Sequence, residues 1–336
     1  MKKVWVIIFL LGIAQITTAQ RIKKADAKFL QIKEDSLKDY AVKLISAINS
    51  SDRLLADSFF TRVFVRALLT PNSFYYPFDS LETISRIYAP DSTFKIFTWQ
   101  LVINDNVIRK HGVIQMRTDN GSLRFYPLID KSPVTINQVD TIGNNKGWIG
   151  AIYYNIIQKR SANQDYYTLL GFDENNIRSS RKIIEVLNFN SGEPSFGGRY
   201  FSFEEDSVFK TAIGRYIMEY KKQSGPKLNY DPEMDMIIVE HLVSESNEPK
   251  KRWTLVGDGD YEGFKWKNGK WVHVEKIFNL VTPLGKEPVP NPVRDATGNL
   301  DETKLKGNEE DSTTEEKPKP PVKPKKVTPK KKGKGE

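Results

Sequence analysis

Apolar residues near the start of the chain recur with the period of a helix. Leu37, Tyr40, Ala41, Leu44, Ile45 and Ile48 fall at i, i+3, i+4, i+7, i+8 and i+11, one stripe of a 3.6-residue repeat. Asn49-Ser50-Ser51-Asp52 follows with a break and capping side chains. A second helical pattern runs from Arg53 to Leu69, with Ala56, Phe59, Phe60, Val63 and Ala67 as its expected inner face, and Pro71 stops it. The spacing therefore predicts an αα-hairpin over residues 25–70.

Beyond it the period changes to two. Phe94–Ile103, Val113–Thr118, Leu123–Tyr126, Ala151–Gln158, Tyr166–Phe172, Tyr200–Phe203, Arg215–Tyr220, Met236–Leu242 and Trp253–Val256 are rich in β-branched and aromatic residues and read as strands. Ser179–Phe189 mixes charged and apolar residues in a way that suits a short helix or a strand, and strand is the preferred reading. Asp119-Asn120-Gly121 and Lys267-Asn268-Gly269-Lys270 place Asn-Gly where hairpin turns need positive φ, so Val113–Tyr126 and Phe264–Glu275 are expected hairpins. Short connections favour antiparallel pairing. The predicted fold is α+β and β-rich, with the helical hairpin packed on a large antiparallel sheet or a two-sheet meander over residues 90–280.

Both ends differ from this body. Residues 1–19 combine Lys2 and Lys3, the apolar run Val4–Ile16, and Thr17-Thr18-Ala19, the three parts of a secretory signal with cleavage expected after Ala19. No other run is long and apolar enough for a spanning helix, so the mature chain is expected to have no transmembrane segment. Residues 20–284 are expected to fold. Residues 285–336 are expected to stay disordered, first acidic and then rich in Lys and Pro, because proline removes donors and lysines repel one another.

That partition changes the meaning of the formal charge of +9. Lys317–Glu336 carries nine lysines against one glutamate, and residues 300–316 carry seven acids against two lysines. Allowing for Lys2 and Lys3, only +4 belongs to residues 20–299. The basic tail suits contact with an envelope polyanion or an envelope protein. It has no aromatic residue for base stacking, so nucleic acid is not an expected partner.

Candidate chemistry is limited by the absence of cysteine, which excludes disulfides, thiolate metal sites and cysteine nucleophiles. His111, His241 and His273 are isolated and form no local metal motif. Neither GxSxG nor a phosphate-binding GxxxxGK[ST] occurs. The most suggestive stretch is Gly257–Gly263, where Asp258, Asp260 and Glu262 alternate with glycines and could wrap calcium. They fit positions 1, 3 and 5 of an EF-hand, but Gly269 occupies position 12, so that motif is excluded. A solvated Gly/Asp turn between strands fits the same residues. Tyr261, Trp266 and Trp271 are candidate ligand-stacking rings, with core or cross-strand packing as the other reading.

Asp165–Phe172, Lys182-Ile183-Ile184, Phe196-Gly197, Met236–Leu242 and Gly257–Phe264 together resemble a family of uncharacterised secreted proteins of the Bacteroidetes. The resemblance spans Trp148–Glu275 and implies export without supplying catalytic residues. The expectation is a non-enzymatic, envelope-associated binding or structural protein in the periplasm or secreted. The alternatives are an envelope hydrolase using carboxylates, with calcium assisting, and a component of a gliding or secretion apparatus.

Overall fold

The computed structural model describes residues 22–208 and 210–278. The expected signal segment 1–19 and the acidic and Lys/Pro-rich stretch 285–336 lie outside the described residues. Within them, α1 (Lys24–Ser46) and α2 (Ser50–Leu68) form the expected hairpin. On α1 the buried stripe is Leu30, Glu34, Leu37, Ala41 and Leu44. Ile48, placed on that stripe by its spacing, lies past the helix end and is 94% exposed. On α2 the buried residues are Ala56, Phe60, Phe64, Ala67 and Leu68, so Phe64 replaces Val63 at the centre of the inner face. Phe59 instead stays partly exposed and stacks on Tyr40 at 5.5 Å.

Three sheets follow. The first has the order β1 (Ser85–Tyr88), β2 (Phe94–Asn104), β3 (Val107–Met116), β4 (Arg124–Ile129), all antiparallel. The second runs β5 (Gly143–Asn144), β9 (Ser195–Phe196), β8 (Ser179–Asn188), β7 (Gln164–Asp173), β6 (Ile152–Ser161), and β11 (Arg215–Lys221) also pairs with β8. The third runs β10 (Phe201–Ser202), β15 (Lys270–Val274), β14 (Leu255–Lys267), β13 (Met236–Ser244), β12 (Leu228–Asp231). Its β10–β15 pair is parallel. The fold is thus α+β and β-rich, with three sheets.

Alternation along the strands explains how these elements stack. Phe97, Trp99 and Leu101 on β2 pack with the helices, whereas Phe94 and Ile96 join Tyr153, Tyr167, Leu169 and Ile183 of the second sheet. Leu170, Ile184 and Val186 point the other way, to Ile237, Val239, Phe264 and Trp271 of the third sheet. The second sheet is therefore apolar on both faces. That is why Ser179–Asn188 lacks a simple alternation and why its strand reading holds. Each fully buried aliphatic or aromatic side chain contributes about 1.5–3 kcal/mol of transfer free energy.

The two Asn-Gly hairpins differ. Lys267 pairs with Lys270, and Asn268 at φ 48° with Gly269 at φ 82° completes a two-residue turn of the expected kind. The other pairs Met116 with Arg124, so Asn120-Gly121 sits in a wider loop whose Gly121 carbonyl accepts from Asn72 N at 2.9 Å. Within that loop Gly121 N donates to Thr118 O at 3.4 Å, closing a turn over Asp119-Asn120, and the contact with Asn72 ties it to the start of the segment after the second helix. Trp253 also departs from expectation: Arg252–Thr254 is a 3-10 turn, and the strand starts only at Leu255.

Candidate functional site

The Gly/Asp stretch is not a loop but the interior of the thirteen-residue β14. Its pairing with β13 passes from Glu240–Tyr261 to Leu242–Gly257, so Asp258, Gly259 and Asp260 bulge opposite His241 alone. Gly259, at φ 86°, supplies the backbone conformation that the bulge requires. The three acids consequently diverge. Asp258 binds His241 Nδ1 at 2.8 Å and accepts from Asp260 N at 3.0 Å. Asp260 is exposed and reaches Lys276 at 3.9 Å. Glu262 turns inward on the face it shares with Phe264. Among the described residues no three His, Asp or Glu side chains are grouped as metal ligands.

The three candidate rings also do not share one surface. Trp271 is fully buried, and its Nε1 donates to Thr168 Oγ1 at 2.8 Å. Trp266 lies edge-on to Trp271 at 5.3 Å, as a cross-strand pair. Tyr261 borders a separate hollow of about 320 Å³ with Tyr230 and Phe278, and Lys227 stands 5.9 Å over its ring.

A larger open cleft of about 660 Å³ lies along β11, flanked by the 136–139 loop, by β13 and by β14. Glu262 faces into it at the end of a polar chain that local motifs did not reveal. His273 Nδ1 bonds Asp206 Oδ1 at 2.7 Å, and His273 Nε2 lies 3.3 Å from Glu262 Oε2. Tyr216 donates its hydroxyl to Glu262 Oε1 at 3.0 Å, and Lys210 bonds Asp206 at 3.0 Å. Burial works against charge on His273, but its bonds to Glu262 and Asp206 outweigh that and raise its pKa above the ordinary imidazole value. Burial likewise pushes the Glu262 carboxyl up, yet His273 and Tyr216 hold it below its usual range. Glu262 is thus kept ionised, and it can accept hydrogen bonds or bind a positive group. The Tyr216 hydroxyl, buried beside it, is held well above its usual pKa.

The remaining polar groups of the cleft are also fixed by neighbours. Arg181 pairs with Glu219 at 2.9 Å, and Glu240 accepts from Lys227 N at 2.6 Å. The loop wall is anchored from below by Arg215, which is fully buried and bonded to the equally buried Glu185 at 2.6 Å. Arg215 Nη1 donates to the carbonyls of Gln138 and Thr141, and Tyr153 donates to Glu185. Arg252, on the rim, carries no ion pair among the described residues. Sequence spacing could not find this assembly, because Asp206, Glu262 and His273 come from a loop and two strands. The one visible signal was the charge on Arg181, Lys182 and Glu185 interleaved with Ile183, Ile184, Val186 and Leu187.

The histidines behave individually. His273 is buried in the polar chain, His241 is an exposed partner of Asp258, and His111 stacks on Trp99 at 5.7 Å with Asp57 at 3.6 Å. No helix among the described residues is long and apolar enough to cross a membrane. No known family, curated protein or solved structure matches this chain.

Proposed function

We propose that this is an exported protein of the bacterial cell envelope that binds a polar envelope component in the cleft along β11. The carrying observation is the pre-arranged cleft itself, with Glu262 fixed by His273 and Tyr216 and its loop wall fixed by Arg215. Groups already held in place lose little entropy on binding, so their hydrogen bonds contribute more of their strength to affinity. Glu240 and Glu262 beside the unpaired Arg252 suit a ligand bearing both charge signs, such as a peptide-containing wall polymer. In this reading the lysines of Lys317–Glu336 add weak, salt-screened attraction to envelope polyanions.

Retention of the purified protein on isolated envelopes tests both parts. Arg252→Glu is expected to weaken retention roughly tenfold, about 1.4 kcal/mol, at all salt concentrations. Removal of residues 300–336 is expected to weaken it at low salt only. Unchanged retention of Arg252→Glu would exclude the cleft as the binding surface. A hydrolase is the second reading, favoured by the Asp206–His273–Glu262 array that ends in the cleft. Release of soluble fragments from those envelopes by the wild type, but not by Glu262→Gln, would establish it in place of simple binding.

A further inference from the structure

The buried space between the first two sheets holds a cluster that the cleft does not use. Lys110 on β3 reaches across to Asp173, the last residue of β7, with Nζ 2.9 Å from Oδ1. Asp130, just beyond β4, places Oδ2 3.8 Å from the same Nζ. The side chains of Lys110, Asp130 and Asp173 are 6%, 8% and 4% exposed. We propose that Lys110 and Asp173 condense into an intramolecular isopeptide bond, with Asp130 as the proton carrier.

Four features support this chemistry. The amine and the carboxyl are in contact and fixed to different sheets, so their effective concentration is far above that of free groups. Water, the reagent that would reverse the reaction, is largely excluded from a site this buried. Condensation removes two buried charges, whereas the ion pair must keep both desolvated. Asp130 has a place of its own that does not depend on the ammonium: Oδ1 accepts from Ser132 N at 2.8 Å, from Gly150 N at 3.1 Å and from the Ser132 hydroxyl. Its other oxygen accepts from Lys110 N at 3.4 Å and stays directed at Lys110.

Gly150 makes the arrangement sterically possible. A Cβ there would stand 2.7 Å from Asp130 Cγ and 2.7 Å from Lys110 Cβ, inside van der Waals contact with both. Only the absence of a side chain lets the carboxylate and the lysine stem approach one another at this point.

The step balances without a co-reactant. Asp130 takes a proton from the Lys110 ammonium and delivers it to the Asp173 carboxylate, and the freed lone pair of Nζ then attacks Cγ of the neutral carboxyl. The new N–C bond forms as a C–O bond of the carboxyl breaks. Both protons that Nζ gives up pass through Asp130 to the departing oxygen, which leaves as water. The charges of Lys110 and Asp173 cancel, and Asp130 returns to its initial state. The product ties β3 of the first sheet to the end of β7 of the second in a chain that has no cysteine to do so.

Mass spectrometry of the purified full-length chain decides the matter. The wild type is expected to be lighter than its sequence by one water, and proteolysis should yield a branched peptide joining the Lys110 and Asp173 segments. Lys110→Arg, which keeps the ion pair, should show the full mass while remaining folded by circular dichroism. Asp130→Asn should fold and stay unlinked, or link far more slowly. A folded wild type of full mass, giving separate Lys110 and Asp173 peptides after prolonged incubation at neutral pH, would overturn the proposal. Linkage in Asp130→Asn at the wild-type rate would overturn the role given to Asp130.

Discussion

Lys95 offers the sharpest test of how the core treats charge. It lies on β2 in the row of side chains that faces the helices, is 1% exposed, and has no carboxylate partner among the described residues. Its Nζ donates to Tyr76 O at 2.9 Å and to Ser73 O at 3.3 Å. The rings of Phe97, Tyr88, Phe78 and Phe74 surround it at 4.8, 5.3, 5.4 and 5.6 Å. Burial, aided by the Arg86 charge, lowers its pKa from 10.5 to about 7. Between those values the unfolded chain binds more protons than the folded one, so the Lys95 contribution to stability improves as pH rises. The proton-linked cost is about 4 kcal/mol at pH 7 and about 2 kcal/mol at pH 9.

Lys95→Met keeps most of the volume and removes the titration. Thermal unfolding of both proteins, followed by circular dichroism at pH 7, 8 and 9, should show the wild type gaining about 2 kcal/mol on the variant across that range. For a domain of this size that corresponds to roughly 4–8 °C in Tm. The comparison with the variant cancels titrations common to both, including that of His273. If the four ring faces and two carbonyls solvated the ammonium as well as water does, the two pH curves would be parallel. Parallel curves would therefore refute the reasoning.

Other sites give independent checks. Arg215→Ala leaves the fully buried Glu185 without its cation and frees two carbonyls of the cleft loop, and should cost about 3–5 kcal/mol in chemical denaturation. A loss below 1 kcal/mol would mean that the pair does not anchor the loop. The raised pKa of His273 means its contribution is full below the unfolded value of about 6.5 and fades as pH rises through the folded value. His273→Gln should therefore flatten the decline of Tm above pH 6.5, and an unaltered slope would contradict the Asp206–His273–Glu262 assignment. Because Asp258, Asp260 and Glu262 diverge, millimolar calcium should leave Tm unchanged, and a rise abolished by Asp258→Ala would restore the ion-binding reading.

Local patterning determined a good deal of this molecule. The 3.6-residue stripe specified the helical hairpin, because a helix buries what its period aligns. The outer limits at Lys24 and Leu68 lie within two residues of the expected 25–70, although the second helix starts at Ser50 and not at Arg53. Alternation located most strands, and Asn268-Gly269 specified a turn that only positive φ can close. Tertiary structure decided the rest, since it depends on contacts between residues far apart in the chain. Whether Trp271 was a ligand platform or core depended on Thr168, and Gly257–Gly263 became strand interior because β13 lay alongside it. The polar chain from Asp206 to Glu262 and the Lys110–Asp173 contact were invisible for the same reason. Electrostatic and hydrogen-bond partners are chosen by distance in space, whereas sequence periodicity reports only which way each side chain points.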